Sequence, residues 1–139
     1  QGFFSYDFRN HNLIKVDAIS NYFILFANLE NKDINNKIIS KLKKYNSQKE
    51  YFFTTVNPND KTFEKTRYWR GPVWINSNWI IYQGLKNKNK NFAEIVKKTT
   101  LNLLEEKQFH EYYNFKDGEC LGANNFSWSA ALYLDLKFE

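Results

Sequence analysis

The 139-residue sequence predicts an all-α fold in two layers, on three observations. Five stretches carry apolar residues at helical spacing. Three of them (17–29, 73–86 and 126–138) are apolar around most of their circumference, and they alternate with two that are apolar on one side only (33–45 and 92–107). A helix that is apolar all round needs neighbours on several sides, so the alternation reads as inner helices threaded between outer ones. The connections alternate too: short near 30–33 and 87–91, long at 46–72 and 108–126. In an up-down array alternate connections lie at the same end, so the two long loops are expected to share one end with the leader 1–16.

Taken in order, residues 1–16 contain aromatics without a sustained period and read as loop. Asp17 is placed to cap a helix whose core side is Ile19, Tyr22, Phe23, Phe26 and Leu29. Ile34, Ile38, Ile39 and Leu42 mark the second helix, and Pro58 in "NPND" marks a turn within the first long loop. Gly71-Pro72 precedes the third helix; proline suits a first helical turn because its missing N–H needs no partner there. That helix carries Trp74, Ile75, Trp79, Ile80, Tyr82 and Leu85. Asn91 followed by Glu94 resembles a capping box for a helix with Phe92, Ile95, Val96, Leu103 and Leu104 on one stripe. The segment "FSWSAALYLDLKF" closes the chain as a fifth helix.

Composition narrows the class of protein. With 42% hydrophobic and 19% aromatic residues the chain is too apolar for disorder. It has no run of about 18 apolar residues, so no membrane span is expected, and no signal-peptide pattern stands at its start. It also contains no methionine, which points to a processed product or a piece of something longer. The single Cys120 is compatible with a reducing compartment such as the cytoplasm. His11 and His110 stand in no metal-ligand spacing, and no metal or cofactor is expected. The net charge of +5 resides partly in "KLKKYN" and "LKNKNKNF", which read as solvated helix ends. Because the aromatics lie apart from these lysines, a nucleic-acid stacking platform is not expected.

The face shared by the long loops holds the candidate chemistry. The first loop and the helix after it deliver Tyr68, Trp69, Arg70, Trp74 and Asn76; the second delivers Glu111, Tyr112, Tyr113, Asn114, Asp117 and Glu119; the last helix adds Trp128. Aromatic faces pack on the C–H faces of sugar rings, and amides, guanidinium groups and carboxylates bond the hydroxyls, so the set suits a carbohydrate. Each member also has an ordinary reading. Tryptophans at a helix start plug cores, Glu111 reads as an exposed glutamate, Arg70 suits a tie between loops, and Asp117-Gly118 reads as a turn. Cys120 reads as a small buried filler. A catalytic domain and a non-catalytic carbohydrate-binding or regulatory helical module both remain open on these grounds.

The motifs "YWRGPVWINSNWIIYQGL" (68–85), "FHEYYNFKDGECLGANNFSWSAALYLDL" (109–136) and the weaker "LIKVDAISNYFILFANL" (13–29) resemble the C-terminal part of glycoside hydrolase family 63, most closely its bacterial members. The resemblance implies that residues 1–139 are a five-helix portion of an (α/α)6 barrel, or α/α toroid, with catalytic loops at the N-terminal ends of the inner helices. It implies an inverting glycosidase acting on an α-glucoside or α-mannoside. The base position of the "EYYN"-like motif falls on Glu111. Tyr68, Trp69 and Trp74 match positions lining the sugar pocket, and Arg70, Gly71, Asn76, Tyr113 and Trp128 match motif positions expected to bind substrate. The family's general acid, an aspartate in a tryptophan- and aspartate-rich motif, has no counterpart here. The resemblance therefore implies that the N-terminal part of the barrel, in the same or a separate chain, is a required partner, and that this chain alone is inactive.

Overall fold

The computed structural model describes residues 3–27, 29–45 and 53–139. The leader is more ordered than its sequence suggests. Strands β1 (Ser5–Asp7) and β2 (Asn12–Ile14) form an antiparallel hairpin with Tyr6 opposite Leu13. Its turn is organised by Asp7, whose carboxylate accepts from the Arg9 N–H (2.9 Å) and the Asn10 amide (2.7 Å). Three-residue strands are too short for a period to register, which is why the segment reads as loop.

The first helix is a 3-10 helix, Ile19–Leu25, shorter than the 17–29 expected. Asp17 does not cap it. Ala18 stands at the cap position with extended backbone and no side-chain bond. The Asp17 carboxylate instead accepts from the Tyr22 hydroxyl (3.1 Å) and the Asn57 amide (2.7 Å), tying this helix to the first long loop. Helix α1 (Lys32–Tyr45) starts where Asn31 accepts from the Ile34 N–H (3.0 Å), and it buries Ile38, Ile39, Leu42 and Tyr45. The expected loop residues 46–52 lie outside the described residues. The "NPND" turn forms as read, with the Asn57 side chain accepting from the Asn59 N–H (3.0 Å).

Helix α2 (Ile75–Leu85) is the centre of the array, packed against the first 3-10 helix, α3 and α4. Pro72 is not in its first turn. Val73 and Trp74 are extended, and Val73 exchanges both backbone hydrogen bonds with Tyr113 (2.8 and 2.9 Å). Thr54 also bridges to Val73, and Ala18 to Val56. These bridges join the two long loops, as the loop lengths predict, and tie the first of them to Ala18, just after the leader.

Helix α3 (Lys90–Lys107) is capped by Asn89, which accepts from the Phe92 N–H (3.1 Å); Asn91 lies inside the helix and no Asn91–Glu94 capping box forms. Every second residue of "NKNKN" is an asparagine, so the local chemistry suits either cap. The choice turns Phe92, Ala93, Val96, Thr100, Leu103 and Leu104 inward and leaves Ile95 exposed. Strands β3 (Tyr112–Tyr113) and β4 (Cys120–Leu121) pair around a turn in which Gly118 has φ +69°. Helix α4 (Ser127–Phe138) packs on α2 and α3. The 3-10 helix, α2 and α4 thus form one row, with α1 and α3 against it. One core cluster joins that row to α1 and to the first turns of α3. A second, of Val73, Ile75, Leu103, Leu104, Tyr113 and Phe115, lies under the long loops.

Candidate active site

Glu111 stands at the loop-bearing end, and both its carboxylate oxygens are held. The Tyr68 hydroxyl donates to Oε1 (2.8 Å) and the Ala123 N–H donates to Oε2 (3.2 Å). The Glu111 N–H in turn donates to the Ala123 carbonyl (2.9 Å). Between them Gly122 adopts φ +72°, and a Cβ there would lie 2.6 Å from Oε2 of Glu111 and 2.7 Å from the Tyr112 ring. Only glycine fits this backbone against that carboxylate. The hydrogen bond to Glu111 pushes the Tyr68 phenol above its ordinary value.

The aromatics around it are layered. Trp69 stacks on Trp74 (centroids 3.9 Å, planes 13° apart), and Tyr112 covers the opposite face of Trp74 (5.0 Å, 14°). Tyr68 meets Trp69, Trp74 and Tyr112 edge-on at 5.8, 4.9 and 5.3 Å. Trp128, in the first turn of α4, meets the edge of Trp74 at 6.4 Å. The Trp74 Nε1–H donates to the Tyr68 carbonyl (3.1 Å). Trp74 is 2% exposed, whereas Tyr68, Trp69 and Trp128 are 47%, 45% and 44% exposed. The outer rings therefore present open surface; Trp74 does not, and the expectation that it lines a pocket is corrected to a buried brace for the rings around it.

Tyr113 is a second correction. It is fully buried, and its hydroxyl donates to the Gln108 carbonyl (2.6 Å) and accepts from the His110 N–H (2.8 Å). Burial pushes its phenol up to about 12. It is a structural post under the hairpin. Gly71 is also buried, and a Cβ there would lie 2.0 Å from the Glu64 carbonyl oxygen, so its role is to let two loop segments meet. Arg70 donates to the Glu64 carboxylate (2.9 Å), which Arg67 also binds (2.8 Å), and the two arginines hold that carboxyl below its ordinary range. Asn76 lies in the first turn of α2, with a buried Oδ1 that has no hydrogen-bond partner among the described residues.

The structure brings Glu111, Tyr68, Trp69 and Trp128 together around Trp74. Tyr112 is among the residues the second long loop delivers, but the sequence does not mark it over Tyr113, and Gly122 and Ala123 carry no expectation. Tyr112 and Tyr113 are adjacent tyrosines, and the "LGAN" step carries no signal of its own until the hairpin places it against Glu111. The Cys120 thiol, half-buried, donates to the Lys107 carbonyl (3.2 Å), and burial pushes it above its ordinary value. Among the described residues no three His, Cys, Asp or Glu side chains group to hold a metal ion, and no helix is long and apolar enough to cross a membrane. A cavity of about 240 Å³ between the leader, the first 3-10 helix and α1, lined by Phe3, Tyr22, Ile38 and Lys37 among others, shares no residue with this site.

Residues 1–129 match the mannosylglycerate hydrolase MGH1-like glycoside hydrolase domain. The chain belongs to this glycoside hydrolase family. A mannosylglycerate hydrolase from Thermus thermophilus is 34% identical over 133 residues, which are 95% of this chain and 32% of that protein. The solved family 63 mannosylglycerate hydrolase from Thermus thermophilus in complex with glucose superposes with a TM-score of 0.89 at 32% identity, covering 96% of this chain and 35% of the other. A neutral trehalase from Saccharomyces cerevisiae, at 15% identity and a TM-score of 0.71 over 99% of this chain and 26% of its own, shares the fold. The family 63 chain thus has the helical arrangement of toroid glycoside hydrolases, and it spans about a third of the length of the curated relatives it matches.

Proposed function

We propose that this family 63 chain is the C-terminal part of the catalytic domain of an inverting α-glycosidase, five helices of an (α/α)6 barrel, with Glu111 as general base. Glu111 takes a proton from a water that attacks the anomeric carbon, while an acid from the remainder of the barrel protonates the departing glycosidic oxygen. The two carboxyl groups would stand about 6.5–9.5 Å apart to admit that water. Asp7 and Asp117 are each committed to turns, accepting from Arg9 and Asn10 and from Glu119, and neither serves as the acid. The substrate is a small α-mannoside or α-glucoside, a mannosylglycerate or glucosylglycerate by likeness to the relatives.

The observation that carries this reading is the Glu111 carboxylate, anchored through both oxygens at an open end beside the half-exposed rings of Tyr68, Trp69 and Trp128. The general acid lies in the remainder, so the 139-residue chain by itself does not turn over; loss of one general acid or base group costs typically about 10²–10⁴-fold. The test uses the complete protein carrying this chain. Glu111→Gln abolishes hydrolysis of α-mannosyl- or α-glucosylglycerate, and proton NMR of the unmutated protein shows the β-anomer of the sugar forming first. Turnover that survives Glu111→Gln overturns the reading. Sugar binding without turnover by the unmutated protein would leave a non-catalytic carbohydrate module in its place.

A further inference from the structure

We propose that Tyr68 is a positioning residue for Glu111, and not only part of the aromatic wall; this rests on the reading of Glu111 as the base. The two residues are 43 positions apart, on different long loops, and meet at 2.8 Å through the phenol hydroxyl and Oε1. The phenol meets the stacked rings of Trp69, Trp74 and Tyr112 edge-on, along one flank of the stack. Its backbone is held as well: the Tyr68 carbonyl accepts from the buried Trp74 indole (3.1 Å), and Tyr68 keeps a positive φ of 20° that L residues rarely adopt. The ring contacts and the backbone bond thus support the hydroxyl in its position as a donor to Glu111.

With Oε1 tied to Tyr68 and Oε2 to Ala123, the carboxylate cannot rotate about its last bond without losing one of its donors. An ionised carboxylate offers about four acceptor sites. Two are occupied here, and the direction of the remainder is defined for an incoming water. Gly122 leaves room for this clamp, since a Cβ there would press on Oε2. The hydroxyl is the donor of the pair, and the hydrogen bond to Glu111 pushes the Tyr68 phenol above its ordinary value. A sugar platform needs only the ring; the clamp needs the hydroxyl, and Tyr68→Phe separates the two.

In the complete protein, Tyr68→Phe lowers kcat about 10- to 100-fold, as for loss of a hydrogen bond to a charged group that sets reacting geometry, with KM changed less than about threefold. Any trace of rate left in Glu111→Gln is not lowered further by the same change, since the two act as one unit. A Tyr68→Phe protein whose kcat stays within about threefold of the original, or whose KM alone rises, while Glu111→Gln is dead, overturns the positioning role and leaves Glu111 as the base. Full turnover by Glu111→Gln removes the base itself, and the role of Tyr68 with it.

Discussion

Trp74 lies between Trp69 and Tyr112, its plane within 13° and 14° of theirs. The inner ring supports and the outer ring is available, so two tryptophans five residues apart carry different loads. Trp74→Ala is expected to cost about 3–5 kcal/mol of stability, as for a fully buried large aromatic. Trp69→Ala, exposed on its outer face, costs far less stability and raises KM for the glycoside. Chemical denaturation and steady-state kinetics on the same two variants separate these effects.

Gly122 is expected to be intolerant of any side chain. Gly122→Ala places a methyl group against Glu111 Oε2 in a backbone conformation at φ +72°. Strain of this kind costs about 1–3 kcal/mol. Turnover should fall by more than the stability loss explains, because the shift falls on the base. A variant with unchanged kcat would show that the carboxylate is not held from this side.

Glu64 gives a pH signature. Arg67 first, and then Arg70, hydrogen-bond its carboxylate and depress it below the ordinary value of 4.5. A depressed carboxyl contributes stability that is present above the unfolded value and is lost as pH falls through the folded one. The pair is solvent-exposed, so the contribution is small and salt-sensitive. The stability difference between the unmutated protein and Glu64→Gln should be constant above about pH 5 and vanish below pH 4.5 as the folded value is passed. Urea titrations at a series of pH values measure it. A difference that grows on acidification contradicts the assignment.

Helix α4 is apolar nearly all round, yet only Ser129 and Leu136 on it are buried, while Leu134 and Phe138 are 54% and 83% exposed. Exposed apolar surface of this kind drives association. The 139-residue chain expressed alone is expected to self-associate in sedimentation velocity, and Leu134→Lys with Phe138→Lys to reduce that without lowering the melting temperature. A monodisperse monomer of the unmutated chain would show that α4 needs no further partner.

The helices α1 to α4 are legible in the sequence because their cause is local: apolar residues recur at helical spacing, and each observed boundary lies within two residues of its expectation. The shared end of the two long loops is legible because chain connectivity dictates it, and the sugar-suited residues are legible because they cluster there. The terms that went astray are those settled by competition between distant partners. Asp17 gives up a cap for Asn57, 40 residues away. Asn89 and Asn91 offer the same cap chemistry, and only the packing of Phe92 and Val96 chooses between them. Tyr112 and Tyr113 are identical neighbours, and strand alternation sends one to the site and the other into the core.

Local composition thus settles which segments are helical and which residue types gather at the open end. Tertiary structure alone decides which ring is brace and which is surface, and that the phenol of Tyr68 meets the carboxylate of Glu111. Those outcomes depend on a contact between residues 43 positions apart, on two loops that the Val73–Tyr113 bridge also joins.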